Sequence, residues 1–81
     1  MEVHYSPYFL NKYRRFPVAI KRKFDKQIFL LAQNLSHPSL RAKKFHESRG
    51  VWQARIDRSH RFYFLIRKGV YILLDITKHK K

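Results

Sequence analysis

At 81 residues without a cysteine, the chain is long enough for one domain only, and neither disulfides nor thiolate-bound zinc can staple it. Nineteen lysines and arginines stand against five acids, a net charge of +14. Spread from Lys12 to Lys81, that excess repels itself and calls for a polyanion: nucleic acid, an acidic membrane surface or an acidic protein.

One Trp, five Tyr and seven Phe argue against disorder. No apolar run approaches the ~20 residues of a membrane span, and the N-terminus lacks the apolar stretch of a signal peptide, so the chain reads as cytosolic. Val3 and Tyr5 alternate with polar residues, the pattern of a short strand. Ser6-Pro7 follows, a hydroxyl N-cap with proline at the first helical position. Phe9, Tyr13 and Phe16 then recur at helical spacing and predict a short helix. Pro17 restarts the chain, and Ile20, Phe24, Ile28, Leu31 and Leu35 trace one stripe of a longer helix, with Lys21, Arg22, Lys26 and Gln33 on its other side. Ser36-His37-Pro38 stops it.

Residues 39 to 50 read as a basic, irregular connection ending at Gly50. From Val51 the period becomes two. Trp52, Ala54 and Ile56 point one way and Gln53, Arg55 and Asp57 the other, before a turn at Arg58-Ser59-His60. Phe62, Phe64 and Ile66 share a face in the next strand, opposite Arg61, Tyr63, Leu65 and Arg67; Lys68-Gly69 turns again. The last strand then places Val70, Ile72, Leu74 and Ile76 on one side and Tyr71, Leu73, Asp75, Thr77 and His79 on the other. The expected fold is α+β: a short N-terminal strand and a helical hairpin packed on a C-terminal antiparallel meander, in the order β-α-α-β-β-β and within one domain, 1–81. Trp52, Ile56, Phe62, Phe64, Ile72 and Ile76 would lie under the helices. The opposite face would be polar at one end and apolar in the middle, through Tyr63, Leu65, Tyr71 and Leu73, a candidate docking surface.

Alternation also selects the chemistry. Arg55, Arg61 and His79 all point away from the core, near one end of the open face. Gln53 shares that face, Lys78, Lys80 and Lys81 surround it, and Lys43 and Lys44 could reach it from the preceding loop. Guanidinium forks match phosphate oxygens and stay charged, while imidazole moves protons near neutrality. Together they suit RNA cleavage without metal or other cofactor, in which a 2′-hydroxyl attacks its own phosphate. The plainer alternative leaves Arg55 and Arg61 as solvated strand residues paired with Asp57 or Asp75, and His79 as a terminal residue without function. His4, His37, His46 and His60 have no metal-ligand spacing, and there are no paired carboxylates, glycine-rich phosphate loop or nucleophile elbow.

From His37 onward the pieces His37-Pro38-Ser39-Leu40-Arg41, Lys43-Lys44-Phe45, Gly50-Val51-Trp52-Gln53-Ala54-Arg55-Ile56, Ser59-His60-Arg61-Phe62-Tyr63-Phe64 and Leu73-Leu74-Asp75-Ile76-Thr77-Lys78-His79 make the chain resemble the RelE/ParE superfamily of toxins from toxin–antitoxin pairs. The resemblance implies a ribosome-dependent, metal-independent endoribonuclease that cuts messenger RNA in the ribosomal A site. Arg61 would contact the scissile phosphate, Arg55 would match the basic position on the preceding strand, and His79 would match the proton-transferring histidine of the YoeB-like branch. Lys80 stands where that branch has a tyrosine. Also implied is an acidic, partly disordered antitoxin covering the open face and burying Leu65 and Leu73, with no membrane partner. A ParE-like gyrase inhibitor, or a non-catalytic member that only binds antitoxin or nucleic acid, are the alternatives on the same scaffold.

Overall fold

The computed structural model describes residues 2–78, so the expectations placed on His79, Lys80 and Lys81 lie outside the described residues. Strand β1 (Glu2–Tyr5) leads into helix α1 (Pro7–Tyr13) and helix α2 (Val18–Gln33). Four more strands follow: β2 (Lys43–His46), β3 (Val51–Arg55), β4 (His60–Arg67) and β5 (Val70–Lys78). They form a single sheet in the order β1-β5-β4-β3-β2, antiparallel except where β1 runs parallel to β5. No helix among the described residues is long and apolar enough to cross a membrane.

Local sequence explains the joints. The Ser6 hydroxyl accepts the Phe9 amide at 3.0 Å and caps α1, with Pro7 in the first turn where its missing N–H costs nothing. The Ser6 amide in turn donates to the Leu73 carbonyl at 3.0 Å, tying the helix start to β5. Lys68 and Gly69 both take positive φ, 46° and 78°, which a two-residue hairpin turn between β4 and β5 requires. One face of the sheet is closed by α1 and α2 through Phe9, Phe24, Leu31, Phe62, Phe64 and Ile76, all essentially without exposure. The aromatic rings of Phe9, Phe24 and Phe62 follow one another at 5.2 Å. Ile20, Ile28, Leu35 and Trp52 pack on this core from its margins.

Two expectations need correction. Residues 43–46 are an edge strand paired with β3, not part of an irregular connection. All four residues of β2 are exposed, so hydrophobic alternation had no buried face to reveal it. In β5 the alternation is interrupted. Tyr63 pairs with Asp75 but Phe64 pairs with Leu73, leaving Leu74 as an extra residue on β5. Such a bulge reverses the side to which every residue beyond it points. Tyr71 and Leu73 are therefore buried, whereas Ile72 and Leu74 are only partly so, the reverse of the expected assignment. Leu73 belongs to the core and is not available for a partner to cover. On the C-terminal side of the bulge the reading holds: Ile76 is buried, and Asp75 and Thr77 border an open groove.

A cationic cleft on the open face

Arg55 closes β3 and Arg61 opens β4, and the ladder sets them directly opposite one another. Both stand on the face away from the helices, because their neighbours Ala54, Ile56 and Phe62 are buried beneath it. Like charges facing across a ladder destabilise a sheet, so such a pair persists where something else is gained. Arg61 is held in place by its own turn. Its Nη1 donates to the Asp57 carbonyl at 2.7 Å and to the His60 carbonyl at 3.0 Å.

Neither arginine is neutralised by a carboxylate among the described residues. Asp57 is committed elsewhere, to His60 Nδ1 at 2.9 Å and Lys23 Nζ at 3.3 Å. Burial alone would push its carboxyl up, but hydrogen bonds from His60, the Ser59 amide and Lys23 outweigh burial and bring it down to about 2. Asp75 is bound by Lys12 Nζ at 2.6 Å and by the Ile76 amide at 2.8 Å. The alternative in which Arg55 and Arg61 are paired with these two acids is therefore not what the structure contains.

The two arginines share a cleft of about 320 Å³ with Arg41, Lys43, Gln53 and Ala54. Among the described residues, four cations and no acid line it. Lys43 enters because β2 pairs it with Gln53, on the open face. Arg41 enters because the 3₁₀ turn Pro38–Leu40 ends in a left-handed residue, Arg41 at φ 46°, ψ 42°. A side chain with a Cβ takes that conformation at a cost of ~1–2 kcal/mol, so it has to be imposed by the surroundings. Leu40, fully buried, is the anchor next to it. From inside, the Gln27 amide donates to the Ser39 carbonyl at 3.1 Å and to the Arg55 carbonyl at 2.8 Å, joining α2 to both walls of the cleft.

The structure thus brings together Arg55, Arg61, Lys43 and Gln53 of the expected set. It does not bring in Lys44, which pairs with Trp52 on the helix side and holds its Nζ 5.8 Å above the indole ring. Lys78 pairs with His60, and alternation puts it on the side of Ile76 rather than that of Arg61. Arg41 and Gln27 were missed. Nothing local marks a left-handed arginine in advance, and Gln27 is a polar residue beside a helical stripe read only from its apolar members, such as Phe24 and Leu31.

The same architecture recurs in solved structures. A YoeB/ParE toxin from Agrobacterium tumefaciens superposes with a TM-score of 0.80 at 16% identity, over 99% of this chain and 100% of the other. An archaeal RelE, in the RelE-RelB complex from Pyrococcus horikoshii OT3, gives 0.82 at 14% identity over 99% and 96%. The YoeB dimer from Staphylococcus aureus gives 0.82 at 15% over 99% and 98%. The chain has the RelE/ParE fold. No protein-family model matches it, and no curated protein matches it by sequence. The likeness is one of backbone, and the chemistry of such a scaffold resides in its cleft.

Proposed function

We propose that this chain is the toxin of a type II toxin–antitoxin pair, acting as a ribosome-dependent endoribonuclease on messenger RNA in the A site. The observation that carries the proposal is the acid-free cleft in which Arg41, Lys43, Arg55 and Arg61 converge around one opposed arginine pair. Its size and charge suit a phosphate of a single strand, and guanidinium forks bind phosphate oxygens in pairs. In the reaction the 2′-oxygen forms a bond to the adjacent phosphorus, the bond from phosphorus to the 5′-oxygen breaks, and a 2′,3′-cyclic phosphate remains. Arg55 and Arg61 stabilise the charge that develops on the phosphorane oxygens. By resemblance, the His79 imidazole takes the 2′-hydroxyl proton and relays it to the leaving 5′-oxygen. The net charge of +14 favours an acidic antitoxin as inhibitor, in keeping with the YoeB-YefM and RelE-RelB complexes among the similar structures.

Induced expression without antitoxin, followed by mapping of transcript ends, tests this reading. Wild type should arrest translation and leave messenger fragments ending in cyclic phosphate. Arg61→Ala should slow cleavage by about 10²- to 10³-fold, as loss of one transition-state donor does, with the fold retained by circular dichroism. Undiminished cleavage by Arg61→Ala, or broken DNA in place of cleaved messenger, would overturn the assignment.

A further inference from the structure

Beside the cationic cleft lies a second, more open groove of about 380 Å³, lined by Phe45, Val51, Tyr63, Leu74, Asp75 and Thr77. Phe45 is 56% exposed. Its ring meets that of Tyr63 at 4.9 Å and 61°, so the two make a corner with one face and one edge on offer. The cleft and the groove are neighbours across the β3–β4 ladder, where Gln53 pairs with Tyr63. Gln53, which lines the cleft, donates from Nε2 to the Tyr63 hydroxyl at 3.1 Å. Asp75 and Thr77, on the C-terminal side of the bulge at Leu74, line the groove beside the aromatic corner. Asp75 uses Oδ1 for both of its contacts, with Lys12 and with the Ile76 amide, which leaves Oδ2 as an acceptor.

We propose that this groove is a nucleobase site, taking the base next to the phosphate held in the cationic cleft and favouring bases with an exocyclic amino group. The inference rests on the nucleic-acid reading of the cleft and deepens it. A single strand alternates phosphates with flat π-faces, and proteins that hold it combine a positive groove with aromatic platforms. Here the two lie side by side, joined by the Gln53–Tyr63 bond. An acidic peptide is the poorer occupant, since it would set its carboxylates against Asp75 while stacking little on the ring corner. The acceptor of Asp75 takes a hydrogen from the amino group of adenine, cytosine or guanine. Uracil has no exocyclic amino group, and its single N3–H is flanked on both sides by carbonyl oxygens that repel a carboxylate.

The test is fluorescence anisotropy of the full chain with labelled pentaribonucleotides, 2′-O-methylated to block cleavage. All are uridine except at the centre, which is adenine, cytosine, guanine, uracil or abasic. Wild type should bind the amino-bearing oligomers about five- to tenfold more tightly than the abasic one, the lower range of one stacked base. Phe45→Ala should erase that gain, and so should Phe45→Leu, which keeps apolar bulk but removes the ring. Asp75→Asn should keep the preference for a base over none while levelling uracil with the others. Arg61→Ala should weaken all five oligomers together. If intact and abasic oligomers bind alike, or Phe45→Leu leaves their difference unchanged, the groove is not a base site and the cleft reading stands untouched. If Arg61→Ala changes nothing, or no oligomer binds at all, the cleft reading fails and this inference with it.

Discussion

Arg55 and Arg61 face each other on adjacent strands with no acid between them, a placement that folding alone does not favour. A purely structural role would make Arg55 stabilising; a ligand-binding role makes it costly until the ligand arrives. Arg55→Thr, a β-branched residue suited to the strand, should therefore raise the melting temperature of the free protein. The gain should be about 1–4 °C, from relief of about 0.2–0.5 kcal/mol of cross-strand repulsion in a domain of this size. The same variant should respond less than wild type to an added oligoribonucleotide, which binds the folded state and lifts its melting point. A lower melting temperature for Arg55→Thr would mark the arginine as structural. Both residues were legible from sequence because their strands alternate without interruption between Trp52 and Ile56 and between Arg61 and Phe64. Asp57 and Asp75 look equally available to them in sequence, and only three-dimensional structure reveals that Lys23, His60 and Lys12 hold those acids instead.

At the level of elements, helix α2 does more than cover the sheet. Gln27, 6% exposed, reaches through the core to the carbonyls of Ser39 and Arg55, so one side chain fixes both the segment that carries Arg41 and the end of β3. Gln27→Leu should fill the space yet leave two part-buried acceptors without their donor, each costing about 1–2 kcal/mol. The expected loss is about 2–4 kcal/mol by chemical denaturation, together with weaker oligonucleotide binding in the folded fraction. A loss under 0.5 kcal/mol would show that the carbonyls find other partners. Elements were read from sequence where a buried face imposed a period, as in α2, β3 and β4. They were misread where it did not. Strand β2 has no buried residue, and the bulge at Leu74 sits in the run Ile72-Leu73-Leu74, where apolar side chains on both faces hide a change of side.

Over the whole molecule, the charge of +14 is distributed rather than focused, and the cleft is where it meets no acid. Binding of a single strand should therefore depend on salt to the extent set by the cleft. With four lining cations each engaging a phosphate, the logarithm of affinity should fall with the logarithm of salt at a slope of about −3. Arg61→Ala should make that slope shallower by close to one charge, about 0.7. A slope near zero would assign the basic surface to protein contacts alone. The RelE/ParE fold also divides the labour of the cleft unequally. Its inner wall, Arg55 and Arg61, belongs to strands hydrogen-bonded on both sides and rooted in the core, whereas Lys43 of the cleft and Phe45 of the neighbouring groove sit on β2, an edge with every residue exposed. Substitution on that outer wall removes no residue of the buried core, so a lineage could retune which sequences it grips, residue by residue, without placing its folding at risk.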